Sequence, residues 1–238
     1  MTVATATLTR SAGLTAIAAG AIFIGVQLNH AQLDAAAVTT TDWLVRSSLK
    51  ALMAVLAMLG ITGMYLHQVK KMGTLGLVGY LLFAANYLII FGTSFVAAIV
   101  LPAIADTSPT YVANVLVAAS GHHPAGDVGS LYTVLLLGGL LYVSGGLLFG
   151  IALYRARVLP RWAAALLAIG GLAAAGLSLM PDPWFRLLAF PNGIAMIALG
   201  YALWRISATQ STESTQSTET ETFPAAAAIP RVAPVGVQ

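Results

Sequence analysis

The stretch GLVGYLLFAANYLIIFG, Gly76 to Gly92, carries no charge and a single amide, Asn86. It belongs to a longer apolar run, Leu75–Leu101, with no alternation of polar and apolar residues. A strand facing water on one side would alternate with a period of two, whereas an unbroken apolar run of about 18 or more residues reads as a transmembrane helix. The whole chain agrees: 58% of its residues are hydrophobic and 8% are charged, against roughly 25% charged in soluble domains. So few charges cannot solvate a water-soluble fold of this apolarity.

Working outward from this run, five similar ones appear, giving spans at Ser11–Leu28, Leu49–Leu66, Leu75–Leu101, Leu131–Tyr154, Trp162–Met180 and Leu187–Trp204. At about 1.5 Å per residue each covers roughly 27–40 Å, enough for a hydrocarbon core of about 30 Å. A membrane β-barrel would show alternating segments of about ten residues instead. The expected fold is all-α: a polytopic six-helix bundle with a short cytoplasmic segment 1–10, a membrane domain 11–206 and a tail 207–238.

The connections sort by charge. Arg10, Lys70, Lys71, Arg155, Arg157, Arg161 and Arg205 fall on one side, while Asp34, Asp42, Asp106, Asp127 and Asp182 fall on the other with Arg46, Lys50 and Arg186. Positive charge marks the cytoplasmic side, so both termini are expected inside a bacterial cytoplasmic membrane. Trp43, Trp162, Trp184 and Trp204 each sit at a span end, where aromatic belts form. Arg10 followed by an apolar run also resembles a signal peptide, with Ala35 to Ala37 as a processing region. The run is long and the alanines late, so an uncleaved anchor is expected. Scattered basic residues give no nucleic-acid footprint. Without cysteine there is neither a disulfide nor a thiolate site.

The outer connection from Pro102 to Ser130 is long for a helical bundle. Ser108 as cap, Pro109 at the first position and Gly121 as stop predict an amphipathic helix over Pro109–Ser120, with Val112, Val115, Leu116 and Ala119 on its buried face. Beyond it, GHHPAGD puts His122 and His123 near Asp127, and the first outer connection adds His30 and Asp34. Imidazoles and carboxylates are the ligands of a zinc-type site. Adjacent histidines in an extended loop point apart, however, and Pro124 and Gly126 mark a turn. A polar loop is the expected reading and an outer-face divalent metal the alternative; no other cofactor is implied. Asp42, Arg46 and Lys50 step along one helix face at i,i+4, where Asp42 pairs with Arg46 and Lys50 snorkels or joins Arg46 in holding an anion or headgroup.

Within the spans no ionisable group lies deep, so the usual mark of a proton relay is missing. Asn86 stands near the middle of the third span, with Tyr80 and Tyr87; Tyr142 and Ser144 occupy a similar depth in the fourth. Asn86, Tyr87 and Tyr142 are the candidate ligand-binding groups, with interhelical hydrogen bonding as the plainer role. Pro191-Asn192-Gly193 resembles a transporter's broken helix, but a proline in the first turns disturbs little. Gly139, Gly146 and Gly150, and Gly193 with Gly200, are spaced for close helix packing. Gly73, Gly76 and Gly79 follow no strand and do not make a nucleotide loop. From Ser207 the tail SATQSTESTQSTETET has little to bury and is expected to be disordered.

The runs GLVGYLLFAANYLIIFG and LLAFPNGIAMIALGYALWR give the chain, over Arg10–Arg205, the look of the small uncharacterised polytopic membrane proteins of GC-rich bacteria, which it resembles in span count and composition. That resemblance implies no catalytic or binding residue. The expected function is a non-enzymatic binding or accessory component, with the lipid bilayer and a second copy or another membrane protein as partners. The alternatives are a small-molecule transporter or channel with its polar site near Asn86, and an outer-face metal-dependent enzyme or sensor using His30, His122, His123 and nearby aspartates.

Overall fold

The computed structural model describes residues 5–28, 35–177 and 189–222. Among them the chain is all-helical: α1 (Thr5–Gly25), a 3-10 turn (Ala35–Thr39), α2 (Thr41–His67), α3 (Val69–Phe95), a π-helical turn (Val96–Val100), α4 (Leu101–Ile104), α5 (Pro109–Ala119), α6 (Ser130–Ala156), α7 (Arg161–Leu177) and α8 (Ala189–Thr222). Four described segments are long and apolar enough to cross a membrane: Ala6–Gly25, Thr41–His67, Val69–Ile104 and Ser130–Ala156.

The long helices close into an antiparallel ring. In the order α1, α2, α3, α6, α7, α8 each lies against the next, and α8 returns to α1. Glycine makes the seams. A Cβ on Gly13 would stand 2.7 Å from the Gly200 carbonyl oxygen, and one on Gly20 2.5 Å from that of Gly193, so α1 and α8 touch backbone to backbone. Gly60 meets Ala16 across the α1–α2 seam, Gly145 meets the Phe83 backbone between α3 and α6, and Gly150 meets Ala168 between α6 and α7. Close approach lets such helices gain dispersion energy where lipid offers no hydrophobic drive. The packing face of α6 differs from expectation at one position. Gly139 has nothing within 4 Å, while Gly138 and Gly145 face α3 and Gly146 and Gly150 face α7. Paired glycines at both levels satisfy either spacing, and the neighbouring helix decides which are used.

Helix ends follow local chemistry. Thr40 accepts from the Trp43 amide at 3.3 Å and α2 begins at Thr41, so Asp42 stands in its first turn, ahead of the apolar span from Leu49. The third helix bends at Gly73 (φ 57°), which a residue with a Cβ would resist. Further along, Pro102 lacks an N–H and its ring would collide with the carbonyl four residues back. The helix widens there into the π turn, and the Leu101 amide reaches the Val96 oxygen. That leaves the Ala97 carbonyl without a helical donor, and the Trp43 indole N–H supplies one at 2.7 Å.

The outer helix α5 spans Pro109–Ala119 with Val112, Val115, Leu116 and Ala118 buried against Val38, Trp43, Leu101 and Val128. Two details depart from the sequence reading: Ala118 replaces Ala119 on the buried face, and the Ser108 side chain makes no capping bond. At the other end Gly121 (φ 87°) closes a Schellman motif, its amide reaching the Ala118 oxygen at 3.1 Å and the His122 amide reaching Val117 at 3.2 Å.

In the tail, where the sequence reading expects disorder over 207–238, α8 is described as helix to Thr222. Extending a helix adds one hydrogen bond per residue without repeating the costly nucleation, and the apolar first half of α8 provides that nucleus. The expected end of the fifth span at Met180, the start of the sixth at Leu187, and 223–238 lie outside the described residues.

Candidate functional site

Polar groups gather at the centre of the ring. Phe83, fully buried on α3, orders the surrounding aromatics: its ring centroid lies 4.9 Å from Tyr87, 6.0 Å from Tyr142 and 6.3 Å from Phe149. Asn86, 2% exposed, sits one turn along from Phe83 and faces the Gly138 backbone of α6. From α8, Asn192 (also 2% exposed) donates its Nδ2–H to the Tyr142 hydroxyl. Pro191 just before it falls in the first turn, where a missing N–H breaks no helical bond, so Asn192 enters the bundle on intact helix.

Hydrogen bonding in this cluster is incomplete. Neither Asn86 Nδ2 nor Asn192 Oδ1 has a protein partner, and a buried amide group left so costs about 1–3 kcal/mol. Of the cluster, Tyr87 and Tyr142 line a cavity of about 20 Å³ between α1, α2, α3, α6 and α8, whose wall also includes Ala19, Gly20, Met53 and Met196. That volume accommodates about one water molecule. Amides do not ionise and an ordinary phenol holds its proton to about pH 10. The cluster can therefore donate and accept hydrogen bonds but offers no general base near neutrality.

Sequence reasoning brought Asn86, Tyr87 and Tyr142 to this place and passed over Asn192. The signal for it was an amide one turn inside a sixth apolar run, which has force only once α8 is known to face α6 and α7. A second buried amide escaped notice: Gln68 at the α2–α3 junction, 3% exposed, with neither carboxamide atom partnered by protein.

The remaining candidates stay apart from this cluster. Arg46 bridges the Asp42 carboxylate at 2.7 Å and donates to the carbonyls of Val26 (3.2 Å) and Leu28 (3.0 Å). It thus pins the turn that follows α1, at residues 26–28, to α2. Lys50 is half-buried and engaged on the same helix. In the GHHPAGD turn, His122 Nδ1 lies 3.1 Å from the Ser120 hydroxyl, and His123 Nδ1 lies 3.0 Å from the Pro124 carbonyl, its ring set edge-on to Tyr132. The Asp127 carboxylate accepts from the Gly129 amide at 2.7 Å, just before α6 begins. The Asn114 side chain holds the Gly126 amide at 2.9 Å, stapling the turn to α5. Among the described residues no three His, Asp or Glu side chains group as metal ligands; His30 and Asp34 lie outside them.

No family model, curated protein or solved structure matches the chain.

Proposed function

We propose that the protein is a six-span integral protein of the bacterial cytoplasmic membrane, termini inside, acting as a non-enzymatic binding or accessory component. Its binding site is the central cluster of Asn86, Tyr87, Tyr142 and Asn192, and its ligand is a small uncharged molecule that both donates and accepts hydrogen bonds. One observation carries this reading: a donor on Asn86 and an acceptor on Asn192, both buried and without a protein partner in an otherwise apolar bundle, in the cluster whose Tyr87 and Tyr142 line a small cavity. Closure of the ring by α7 and α8 supports six spans, and the segregation of Lys and Arg from Asp supports the orientation.

The test is native mass spectrometry of gently purified protein beside an Asn86→Leu/Asn192→Leu variant, with solute flux measured on the same proteins in liposomes. A small retained molecule lost in the folded variant, without flux, is the expected result. Flux through the wild type that the variant abolishes would overturn the reading in favour of a transporter.

A further inference from the structure

The ring gathers seven cations at one end, where the continuation of α8 past Arg205 also carries Glu213, Glu219 and Glu221. Arg10 of α1, Lys70 and Lys71 at the α2–α3 junction, Arg155, Arg157 and Arg161 around the α6–α7 turn, and Arg205 of α8 are all exposed there. The described aspartates, Asp42, Asp106 and Asp127, lie at the opposite end. Aromatic rings accompany the cations: the Arg161 guanidinium lies 4.2 Å from the ring centroid of exposed Tyr154, Arg10 5.5 Å from that of half-buried Trp204, and Arg205 6.0 Å from that of exposed Tyr201. Trp162, beside Arg161, is 59% exposed, and Leu66 and Leu8 near the same end are 63% and 60% exposed. The end thus presents exposed apolar and aromatic side chains among its cations.

We infer that this end binds the phosphate headgroups of anionic phospholipids, with the α6–α7 turn as its centre. The inference rests on the proposed membrane embedding but not on the central site. Three arginines fall within the short stretch from Arg155 to Arg161. Arg157 holds a left-handed backbone (φ 56°, ψ 28°) at the end of α6, a conformation that disfavours a residue with a Cβ. The turn therefore presents arginine where glycine or asparagine would fit the backbone better. Guanidinium forks match phosphate oxygens in pairs, while the adjoining apolar side chains suit acyl chains. A soluble acidic partner would match the charge but not the exposed leucines and Trp162 among the cations, and the cations are spread over four sites of the ring rather than gathered in one patch.

The experiment presents delipidated, detergent-solubilised protein with equimolar phosphatidylglycerol and phosphatidylcholine and counts bound lipids by native mass spectrometry. Each cation near an anionic surface contributes about fivefold in affinity. The wild type is expected to prefer phosphatidylglycerol, and Arg155→Gln/Arg157→Asn/Arg161→Gln to lose on the order of 100-fold of that preference; asparagine at 157 suits the left-handed turn. Lys70→Gln/Lys71→Gln, away from the turn, is expected to lose less, and serves as the test on its own should the triple variant not fold. Equal binding of the two lipids, or a preference untouched in the folded triple variant, would overturn the inference. So would displacement of the lipid by an equal concentration of inorganic phosphate, or an acidic polypeptide retained in its place. Proper insertion in neutral nanodiscs without phosphatidylglycerol preference would sink this inference alone.

Discussion

Replacing Gly145 by alanine adds one methyl group where α3 and α6 touch. The new Cβ would lie 2.5 Å from the Phe83 amide nitrogen and 2.7 Å from its Cα, and 2.9 Å from the Leu82 carbonyl carbon. Ordinary contact begins near 3.4 Å, so the shortfall is close to an ångström, and every atom involved belongs to backbone that cannot swing aside. The helices must part, and overpacking of this kind costs about 1–3 kcal/mol. The internal control is Gly139→Ala on the same helix, where nothing stands within 4 Å and alanine's helix propensity gives a gain of up to about 1 kcal/mol. Reversible unfolding in mixed detergent, followed by circular dichroism, compares the two directly. Gly145→Ala is expected to lower the unfolding midpoint and Gly139→Ala to leave it level or raise it. Equal stability of the two would refute the seam described for α3 and α6.

Trp43→Phe removes the only side-chain donor seen on the Ala97 carbonyl and is expected to cost about 1–3 kcal/mol. In a Pro102→Ala background, where a regular helix can supply backbone donors, the same change is expected to cost less; equal losses in both backgrounds would contradict the π-turn account. Gln68→Met exchanges a buried, unpartnered carboxamide for an apolar chain of similar shape and is expected to raise the midpoint by an amount of order 1 kcal/mol, whereas a fall would mean that the carboxamide is satisfied. Elemental analysis of the purified protein beside His122→Ala/His123→Ala is expected to show no stoichiometric metal in either, because both rings and Asp127 are taken up in local bonds; one metal per chain that vanishes in the variant would revive the outer-face site.

Hydropathy made the helices legible because an apolar run too long for a soluble core element needs no tertiary context to be read. It located α1, α2, α3 and α6, and it singled out Asn86 because an amide stands out against leucine. Helix ends needed other signals: the i,i+4 spacing of Asp42, Arg46 and Lys50 carried α2 outward past its apolar run, and the Thr40 cap at its start is invisible to an apolarity scan. Composition alone also gave no sign of the continuation of α8: serines and threonines are indifferent helix formers, which extend a helix already begun more readily than they start one. What sequence could not give was adjacency. Asn192 acquires meaning from Tyr142, fifty residues away in the chain, and Gly138 is distinguished from Gly139 only by the helix opposite.

The closure of the ring by α1 and α8 also orders its assembly. The first long helix to be synthesised finds its glycine partners, Gly193 and Gly200, only after nearly all the rest has emerged. Until then the bare backbone at Gly13 and Gly20 waits beside whatever surrounds it, while the α1–α2 and α2–α3 hairpins form from near neighbours. The seam between α1 and α8 thus joins the most distant of the described long helices, and ribosome-arrested chains lacking α8 would display it open.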